Sequence, residues 1–266
     1  MNLESSPIKI SIVNVTYNSA REIEQLIHSI FKTVKDVDYE LLIVDNNSKD
    51  DTVSRIKNIS DQIKIISNDS NVGFANANNQ AFKIATGDFI LILNPDILLT
   101  ELTKLKDLCE RLQKSKDIGI IAPRLCYPDG TVQESVRGFP NLVIQMLRMM
   151  KLDRFFRNNK AYKNYMLTEL DHTNENFVDW VIGAFMLIRK DVLFEAGLFD
   201  SRYFMYMEDA DLCLSLKKRG YKICYSPQFS ATHTYKRESS KEVISGLKWA
   251  HIKSSFKFYL KHGYRI

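Results

Sequence analysis

The first half of this sequence alternates between nearly continuous apolar segments and amphipathic segments. Residues 8–15 are β-branched and almost wholly apolar, as expected for a strand that is buried on both faces of a sheet. The segment after it repeats apolar residues at helical spacing from Ile23 to Val34. Strands that alternate with helices in this way form right-handed βαβ units. We therefore predict an α/β fold with a doubly wound, mostly parallel sheet.

The same periodicities predict the approximate bounds of the elements. Ser19 and Glu22 have the spacing of a capping box at the start of the first helix. Further helices are predicted at about 50–59, 74–85, 101–114 and 208–219, and further strands at 39–44, 63–67, 88–93, 118–122, 178–188 and 221–225. No linker rich in Pro, Gly or Ser divides the chain, so we expect a single domain.

Positive charge is concentrated in two segments. The chain has 37 Lys and Arg against 32 Asp and Glu, but residues 140–165 hold six cations and one acid, and residues 236–266 hold eight and two. Both segments have apolar residues at helical spacing, which are Leu142, Met146, Met149, Met150 and Phe156, and Trp249, Ile252, Phe256, Tyr259 and Leu260. Such segments suit an anionic membrane surface, and they are also typical of helices that pack on the domain with solvated basic faces. No nucleic-acid reader motif accompanies the charge.

The rest of the composition indicates which cellular compartment and which class of protein to expect. No apolar segment approaches the roughly 18 residues needed to span a bilayer. Residues 1–7 lack the basic and apolar regions of a secretory signal, so we expect a cytoplasmic protein. The four cysteines lie far apart without a CxxC pair, which favours reduced thiols over a disulfide or a zinc site.

Four predicted strands end in polar residues, at 16–18, 45–48, 68–69 and 94–96. Each could be an ordinary turn, since Asn, Asp and Ser favour turns for local reasons. In an open parallel sheet, however, ligands bind at the carboxyl ends of the strands. The sequence has neither the Gly-x-Gly-x-x-Gly motif nor the phosphate-binding loop. A dinucleotide oxidoreductase and a phosphate-loop ATPase are therefore not supported.

These polar segments also resemble a known family. In chain order they are Thr16-Tyr17-Asn18, Val44-Asp45-Asn46-Asn47-Ser48-Lys49-Asp50-Asp51-Thr52, Asn71-Val72-Gly73-Phe74-Ala75, Asn94-Pro95-Asp96 and Glu208-Asp209-Ala210-Asp211-Leu212-Cys213. The ordered set, over about residues 8–235, resembles the inverting family-2 glycosyltransferases with the GT-A fold, in their rhamnosyltransferase-like branch. The resemblance implies one domain with a nucleotide-sugar-binding half at about 8–122. An acceptor-binding and catalytic lobe follows at about 123–235, and a basic helical tail at about 236–266.

The resemblance implies the residues that bind the donor. Thr16, Tyr17 and Asp45 would hold the nucleotide base, with the Asp45 carboxylate accepting a hydrogen bond from a pyrimidine N–H. Asn76 would lie near the nucleotide or the sugar. The other residues implied for the nucleotide-sugar site are Asn18, Asn47, Gly73 and Asn94.

A divalent cation, Mg²⁺ or Mn²⁺, is the expected cofactor. The resemblance implies that Asp96 is the metal-binding acid of an Asp-x-Asp signature and that His233 is a second ligand. Asn94 stands where the commoner signature has its first acid, so the site has one negative charge fewer. Independently, a nucleoside diphosphate leaving group develops charge that such an ion can neutralise. The alternative for His233 is a histidine at a strand end, hydrogen-bonded locally.

Glu208 and Asp209 open a predicted helix late in the chain. The resemblance implies that Asp209 is the general base that deprotonates the acceptor hydroxyl, while Glu208 modulates its pKa or binds the acceptor. The alternative is that these acids only stabilise a helix N-terminus. Asp179 and Trp180 resemble an acceptor-sugar platform, in which Trp180 stacks on the ring and Asp179 accepts from a hydroxyl. A Trp buried in a strand is the alternative.

The function implied is metal-assisted transfer of one hexose, with rhamnose from dTDP-rhamnose favoured, to a surface glycan that is free or lipid-linked. The Gln-x-x-Arg-Trp signature of processive synthases is absent. A sugar nucleotidyltransferase is one alternative, but it normally needs a glycine-rich basic loop after the first strand, which this sequence lacks. A non-catalytic nucleotide-sugar-binding or membrane-docking protein is another, against which Asp96, Asp209 and His233 argue. We expect residence in the cytoplasm, with peripheral attachment to the plasma membrane as an extension of that hypothesis.

Overall fold

The first half of the chain has the alternating architecture that its apolar pattern predicts. The structure is a computed structural model that describes residues 8–139, 141–150, 152–234 and 244–263. The elements are β1 (Lys9–Thr16), α1 (Ala20–Thr33), β2 (Asp38–Asp45), α2 (Thr52–Ile59), β3 (Lys64–Ser67), α3 (Phe74–Ile84), β4 (Phe89–Leu93), β5 (Ile97–Leu99), α4 (Leu105–Lys114) and β6 (Ile118–Cys126). All five residues of β4 are buried, as its unbroken apolar sequence requires.

The second half consists of shorter elements. They are β7 (Val136–Arg137), α5 (Leu142–Met149), a 3₁₀ turn (Asp153–Phe155), α6 (Lys160–Met166), β8 (Asn176–Val178), β9 (Trp180–Val181), β10 (Phe185–Arg189), α7 (Lys190–Glu195), α8 (Glu208–Lys218), β11 (Lys222–His233) and α9 (Ile244–His262). The prediction of one strand over 178–188 is wrong. The chain breaks around Gly183, whose N–H donates to the Asp209 side chain instead of a neighbouring strand.

One mixed sheet joins the two halves. Its strand order is β3-β2-β1-β4-β10-β6-β11-β5, with β8 paired to β11, while β7 and β9 form a separate pair. The strands β1 to β4 are mutually parallel where they pair. Strand β10 runs antiparallel between β4 and β6. The sheet is therefore mostly parallel in its first half, as predicted, and is extended by strands from the second.

Helices cover both faces of this sheet, which makes the fold doubly wound. Neighbouring residues of β1 point to opposite faces, so that Ile12 belongs to one apolar cluster and Val13 to the other. The cluster around Ile12 includes Leu26 of α1 and Leu108 of α4. The cluster around Val13 includes buried residues of α3, α8 and α9.

The predicted capping box at the start of α1 is wrong. Ser19 occupies the N-cap position, but its side chain caps no N–H of the helix. The Ser19 hydroxyl donates instead to the carbonyl of Tyr17 at 3.2 Å. Asp50, on the loop after β2, accepts from the N–H of Ala20 at 3.3 Å. A contact from the next strand–helix connection has thus replaced the local cap.

Helix α9 packs against the body of the protein through one of its faces. Phe258 and Tyr259 are 0% and 2% exposed, and the Ser254 hydroxyl donates to the carbonyl of Met205 at 2.7 Å. Lys261 and His262 contact the buried carboxylate of Asp211 at 2.8 and 2.6 Å. The rest of the basic tail, at 236–243 and 264–266, lies outside the described residues.

The described residues contain no membrane-spanning helix and no disulfide. In the described parts of the chain, no helix combines the length and the apolar character that crossing a membrane requires. The four cysteines are free, and three of them are buried. Burial raises the pKa of the thiols of Cys109, Cys213 and Cys224, so these side chains behave as small apolar groups.

Candidate active site

The carboxyl ends of three neighbouring strands meet at one edge of the sheet. Thr16 at the end of β1 lies directly opposite Asp45 at the end of β2. On the other side of β1, the Asn14 amide donates to the carbonyl of Leu93, the last residue of β4, at 2.7 Å. The polar residues that follow these strands are thereby gathered along one edge.

Asp45 is held by three hydrogen bonds from within the protein. Its Oδ1 accepts from the hydroxyls of Thr16 and Ser48 at 3.0 and 2.5 Å, and its Oδ2 accepts from the Ser48 N–H at 3.0 Å. The residue is only 3% exposed. A carboxylate offers about four acceptor positions, so capacity for one further donor remains at Oδ2.

The loop beside Asp45 is fixed by two asparagines with a left-handed backbone. Asn18 and Asn47 have φ values of 52° and 66°, a region that asparagine tolerates better than most residues. The Asn18 side chain accepts from the Lys49 N–H at 2.7 Å, and the Asn18 N–H donates to Ser48 Oγ at 2.9 Å. Tyr17 beside them is 51% exposed, which leaves its ring available to a ligand.

Gly73 connects this region to the segment that precedes α8. Its φ is +85°, and a Cβ at this position would lie 2.4 Å from the carbonyl oxygen of Phe204. The next residue, Phe74, donates its N–H to that same carbonyl at 2.7 Å. The Asn46 amide reaches the Gly73 carbonyl at 3.3 Å. Only glycine fits this approach of two backbones without displacement.

Asn76 lies in different surroundings from Asp45. Its amide nitrogen donates to the carbonyls of Val72 at 3.1 Å and Ser201 at 3.4 Å. It lines a cavity of about 750 Å³ that Asp200 and Lys261 also line. The structure therefore groups Asn76 with the 196–201 segment, not with the Thr16–Asp45 pair.

Asp96 and His233 face each other across two antiparallel strands. His233, at the end of β11, pairs in register with Ile97 of β5, the residue after Asp96. His233 Nε2 lies 3.2 Å from Asp96 Oδ1, and the His233 side chain is 6% exposed. The Asp96 carbonyl accepts from both the N–H and the hydroxyl of Thr234, at 2.8 and 3.0 Å.

Gln133 sets the orientation of the His233 ring. Its amide nitrogen donates to the His233 carbonyl at 2.8 Å, so its amide oxygen is the atom that meets Nδ1, also at 2.8 Å. An oxygen partner requires the proton on Nδ1, so Nε2 is the ring nitrogen that could offer a lone pair to a metal. Gln133 itself is 6% exposed.

This pair suits a metal ion that is shared with a bound ligand. Within the described ranges, no cluster of three or more His, Cys, Asp or Glu side chains could hold an ion alone. Mg²⁺ and Mn²⁺ often take only one or two protein ligands and complete their shell with phosphate oxygens and water. Asp96 and His233, with the ring fixed through its other nitrogen, match that arrangement.

Glu208 and Asp209 begin α8 and are 5% and 9% exposed. Asp209 accepts from the N–H groups of Gly183 and Ala210, both at 2.8 Å. The residue after Gly183, Ala184, accepts from the Asn94 N–H at 3.0 Å. Two consecutive residues thus connect Asp209 to the turn that carries Asp96.

Burial raises the pKa of both carboxyl groups. For Glu208 the pKa rises to about 8, through burial first and then through the neighbouring Asp209 charge. For Asp209, burial raises the pKa, and the N–H groups of Gly183 and Ala210 oppose the rise. Glu208 Oε2 is buried with no hydrogen-bond partner among the described residues. A buried, unpartnered carboxyl oxygen beside a second carboxyl group is typical of a functional site.

Asp179 and Trp180 are neighbours in sequence, but their side chains have different surroundings. Trp180 is half-buried and lies close to the Asp209 carboxylate. Asp179 forms an ion pair with Lys217 and accepts from the Phe139 N–H at 3.3 Å. The structure therefore brings Trp180, but not Asp179, to the buried carboxyl groups.

Gln133, Gly183 and Ser48 contact the candidate site residues but were not among those predicted from the sequence. Ser48 lies within the motif that includes Asp45, so its position was a usable signal. Gln133 lies 100 residues before its partner His233, and Gly183 lies 26 before Asp209. Nothing in their local sequence indicates these contacts.

Two solved structures of GT-A glycosyltransferases have a similar architecture. The mannosyltransferase PcManGT from Pyrobaculum calidifontis, in complex with GDP-Man and Mn²⁺, has a TM-score of 0.64 and 17% identity over 98% of this chain and 68% of its own. GalNAc-T7 with UDP, GalNAc and Mn²⁺ has a TM-score of 0.67 and 18% identity over 90% of this chain and 46% of its own. At these identities the likeness establishes the fold.

The chain belongs to glycosyltransferase family 2, whose family model, "Glycosyl transferase family 2", matches residues 11–193. It is 28% identical, over 94% of this chain and 83% of the relative, to N-acetylglucosaminyl-diphospho-decaprenol L-rhamnosyltransferase of Mycobacterium tuberculosis. It is 30% identical, over 70% and 69%, to the rhamnosyltransferase WbbL of Escherichia coli K12. The protein is a glycosyltransferase of the rhamnosyltransferase-like branch, and the alternatives of a nucleotidyltransferase and a non-catalytic protein are not retained.

Proposed function

We propose that this enzyme transfers one rhamnose from dTDP-rhamnose to a hydroxyl of a lipid-linked glycan, with inversion at the anomeric carbon. The observation that carries the proposal is the connection between Asp209 and the Asn94–Asp96 turn through Gly183 and Ala184. It joins a buried carboxyl group, through the backbone, to the turn that carries Asp96, one member of a pair that would suit a diphosphate-bound metal. Such a pairing is what direct displacement of a nucleoside diphosphate requires.

The donor base would bind at the ends of β1 and β2. Tyr17 supplies an exposed ring for stacking, and Asp45 Oδ2 has acceptor capacity for a pyrimidine N–H. Asn18, Asn47 and Gly73 shape the adjacent backbone through their left-handed conformations.

The diphosphate would lie next to Asp96 and His233, which would hold Mg²⁺ or Mn²⁺. The bound ion would neutralise the charge that develops on the leaving diphosphate. Asn94, in place of a second acid, leaves one carboxylate in the Asn94–Asp96 turn. Asp96 and His233 then hold their share of the coordination shell without closing the site to phosphate oxygens.

In the transfer step, the acceptor hydroxyl oxygen would attack the anomeric carbon as the bond from that carbon to the diphosphate oxygen breaks. Asp209 would take the hydroxyl proton, and the nucleoside diphosphate would leave with the bonding electron pair. Trp180 beside Asp209 is the residue suited to stack on the acceptor sugar. Glu208, protonated at neutral pH because of its raised pKa, would donate a hydrogen bond to the acceptor. Asp179, held by Lys217, would act at the rim of this subsite.

The lipid-linked acceptor is proposed by analogy with the Mycobacterium tuberculosis relative, whose name specifies a diphospho-decaprenol substrate. An acceptor of this kind is anchored in a membrane. The enzyme would then work at the cytoplasmic leaflet as a peripheral protein.

The donor assignment can be tested on the purified protein with a panel of dTDP-rhamnose, UDP-glucose and GDP-mannose, with and without Mn²⁺. The unfolding midpoint should rise most with dTDP-rhamnose and Mn²⁺, because a ligand that binds only the folded state stabilises it. Transfer to a synthetic N-acetylglucosaminyl-diphospho-lipid, followed by NMR of the product, should show an inverted anomeric centre.

Three outcomes would contradict parts of the proposal. A larger midpoint shift with another nucleotide sugar would overturn the donor, and a retained configuration would overturn direct displacement. Activity that survives exhaustive chelation by EDTA, with an Asp96→Ala variant as active as the wild type, would remove the metal role from Asp96 and His233.

A further inference from the structure

Helix α9 has an apolar face that is largely exposed to solvent. Trp249, Ile252, Phe256 and Leu260 recur at helical spacing and are 62%, 43%, 59% and 64% exposed. Phe258, on the opposite face of the same helix, is buried. A single surface apolar residue is unremarkable, but a contiguous stripe of four large ones normally marks an interaction surface.

Helix α5 extends this stripe. Val143, Met146 and Met150, on the helix and its C-cap, are 63%, 52% and 62% exposed. Between the two helices lies a groove of about 340 Å³, lined mainly by Leu142, Met146, Met150, Ile252, Phe256 and Tyr259. We call this surface the α5–α9 face. It is formed by the two segments whose apolar spacing the sequence analysis noted.

Exposed cations accompany the α5–α9 face. Arg154, Arg157 and Lys160 follow α5 along the chain, and Lys253 lies on α9 between Ile252 and Phe256. The Arg154 guanidinium stacks on the ring of Phe155, which is 67% exposed. The segments 140–165 and 244–263 contain a single acid, Asp153. An apolar surface bordered by cations is complementary to an anionic lipid–water interface.

The α5–α9 face is also close to the catalytic helix. The Gln145 amide of α5 contacts Met207 Sδ at 3.6 Å, and its oxygen accepts from the Tyr259 hydroxyl of α9 at 3.1 Å. Met207 is the N-cap residue of α8 and immediately precedes Glu208. A membrane or partner bound to the α5–α9 face would therefore be separated from the buried carboxyl groups of Glu208 and Asp209 by about one layer of side chains.

We propose that the α5–α9 face docks on an anionic phospholipid bilayer, with its apolar side chains in the interface and its cations against the headgroups. The inference rests on the proposed function, since a lipid-linked acceptor is what makes residence at a membrane useful. Charge decides between a membrane and a second copy of the chain. An isologous dimer through this face would oppose two basic surfaces, whereas anionic headgroups neutralise one.

The test is co-sedimentation of the full chain, without substrates, with vesicles of phosphatidylcholine alone or mixed with phosphatidylglycerol. Binding should require the anionic lipid and fall with added salt. The Trp249→Ser, Phe256→Ser double variant and the Arg154→Glu, Lys253→Glu double variant should each lower the partition coefficient about tenfold or more. In a Trp180→Phe background, the Trp249 fluorescence should shift to the blue and be quenched by brominated acyl chains.

Matched controls separate docking from misfolding. Phe177→Ser replaces a ring of similar exposure on β8, and Lys57→Glu reverses an exposed charge on α2. Both should bind like the wild type, and circular dichroism should show all variants folded. Equal recovery on neutral and anionic vesicles, or unchanged binding in both double variants, would overturn the proposal. Concentration-dependent dimerisation lost in the same variants, or capture of a dispersed polyprenyl phosphate without vesicle binding, would also overturn it.

Because no substrate is present, this test is independent of the transfer assay. If the wild-type chain does not bind vesicles but still transfers rhamnose to a short-chain acceptor, the docking surface alone is overturned. Vesicle binding with no transfer from any nucleotide sugar would overturn the proposed function alone.

Discussion

Gln133 holds His233 by two hydrogen bonds of 2.8 Å, one to the ring and one to the carbonyl of the same residue. The double contact fixes both the ring orientation and the tautomer, so that Nε2 faces Asp96 at 3.2 Å. Partners of this kind raise the affinity of a histidine for a metal, because the ring need not be ordered when the metal binds.

Gln133→Leu should weaken metal-dependent binding of dTDP by about 10–100-fold, the effect typical of losing such a partner. Binding in EDTA should be unchanged. Isothermal titration with and without Mn²⁺ measures the difference. The control is Gln113→Leu. Gln113 lies near the start of β4, at the opposite end of that strand from the Asn94–Asp96 turn. Equal Mn²⁺ dependence in Gln133→Leu and wild type would show that Gln133 only fills space.

Asp209→Asn should lower transfer by about 10²–10⁴-fold while donor binding is retained, because the amide cannot accept the hydroxyl proton. Since burial raises the pKa of Asp209, wild-type turnover should fall on acidification at a higher pH than a solvent-exposed aspartate would give. Turnover against pH and the Kd for dTDP are the measurements. A variant with more than a tenth of wild-type turnover would exclude Asp209 as the base.

Glu208→Gln should stabilise the fold at high pH and leave it unchanged at low pH. The folded-state pKa of about 8 lies above the ordinary value of 4.5, so the folded state binds the extra proton between these values. Stability that comes from this proton is present below pH 4.5 and is lost as the pH rises through 8. At pH 9 the buried anion is destabilising, so its removal should raise the free energy of unfolding by a few kcal/mol, since each pKa unit corresponds to about 1.4 kcal/mol.

Urea unfolding of wild type and Glu208→Gln at pH 5 and pH 9 checks this difference. The variant should also be a poorer catalyst, since stability gained at a functional site is commonly offset by lost activity. A stability difference that is the same at both pH values would mean that Glu208 is not proton-linked to folding.

Asp211→Asn should destabilise the protein by about 2–4 kcal/mol. The Asp211 side chain is 4% exposed and contacts Lys261 and His262 of α9 as well as the Tyr203 hydroxyl. Removal of one partner leaves the other polar groups of a largely buried cluster unpaired. The urea midpoint should fall with an unchanged slope.

The control for Asp211 is Asp179→Asn, which breaks the more exposed pair with Lys217 and should cost less than about 1 kcal/mol. Similar losses in the two variants would contradict the anchoring role.

The same cluster shows why Lys261 is a poor site for testing membrane charge. Lys261→Glu would place a third acid beside Asp200 and Asp211 and would disturb the packing of α9.

Local pattern was sufficient to predict burial, but not strand order. The first four residues of β10 are apolar and buried, as that composition requires, whereas the buried Arg189 at its end donates to the carbonyls of Leu112 and Lys116. Nothing in them indicates that β10 enters the sheet antiparallel between β4 and β6. That placement depends on contacts with strands about 65 to 100 residues earlier in the chain, which no local periodicity encodes.

The alternating apolar pattern alone determined the α/β class and the polar edge of the sheet, because strand burial and side-chain periodicity are local properties. The same is true of the four polar strand ends and of the acids at the start of α8. Only the tertiary structure decided which polar residues meet. Gln133 reaches His233, Gly183 reaches Asp209, and Asp50 replaces the cap at Ser19. Each of these contacts joins residues that are distant in sequence, and their hydrogen bonds form only once the packed core has fixed the backbones that carry them.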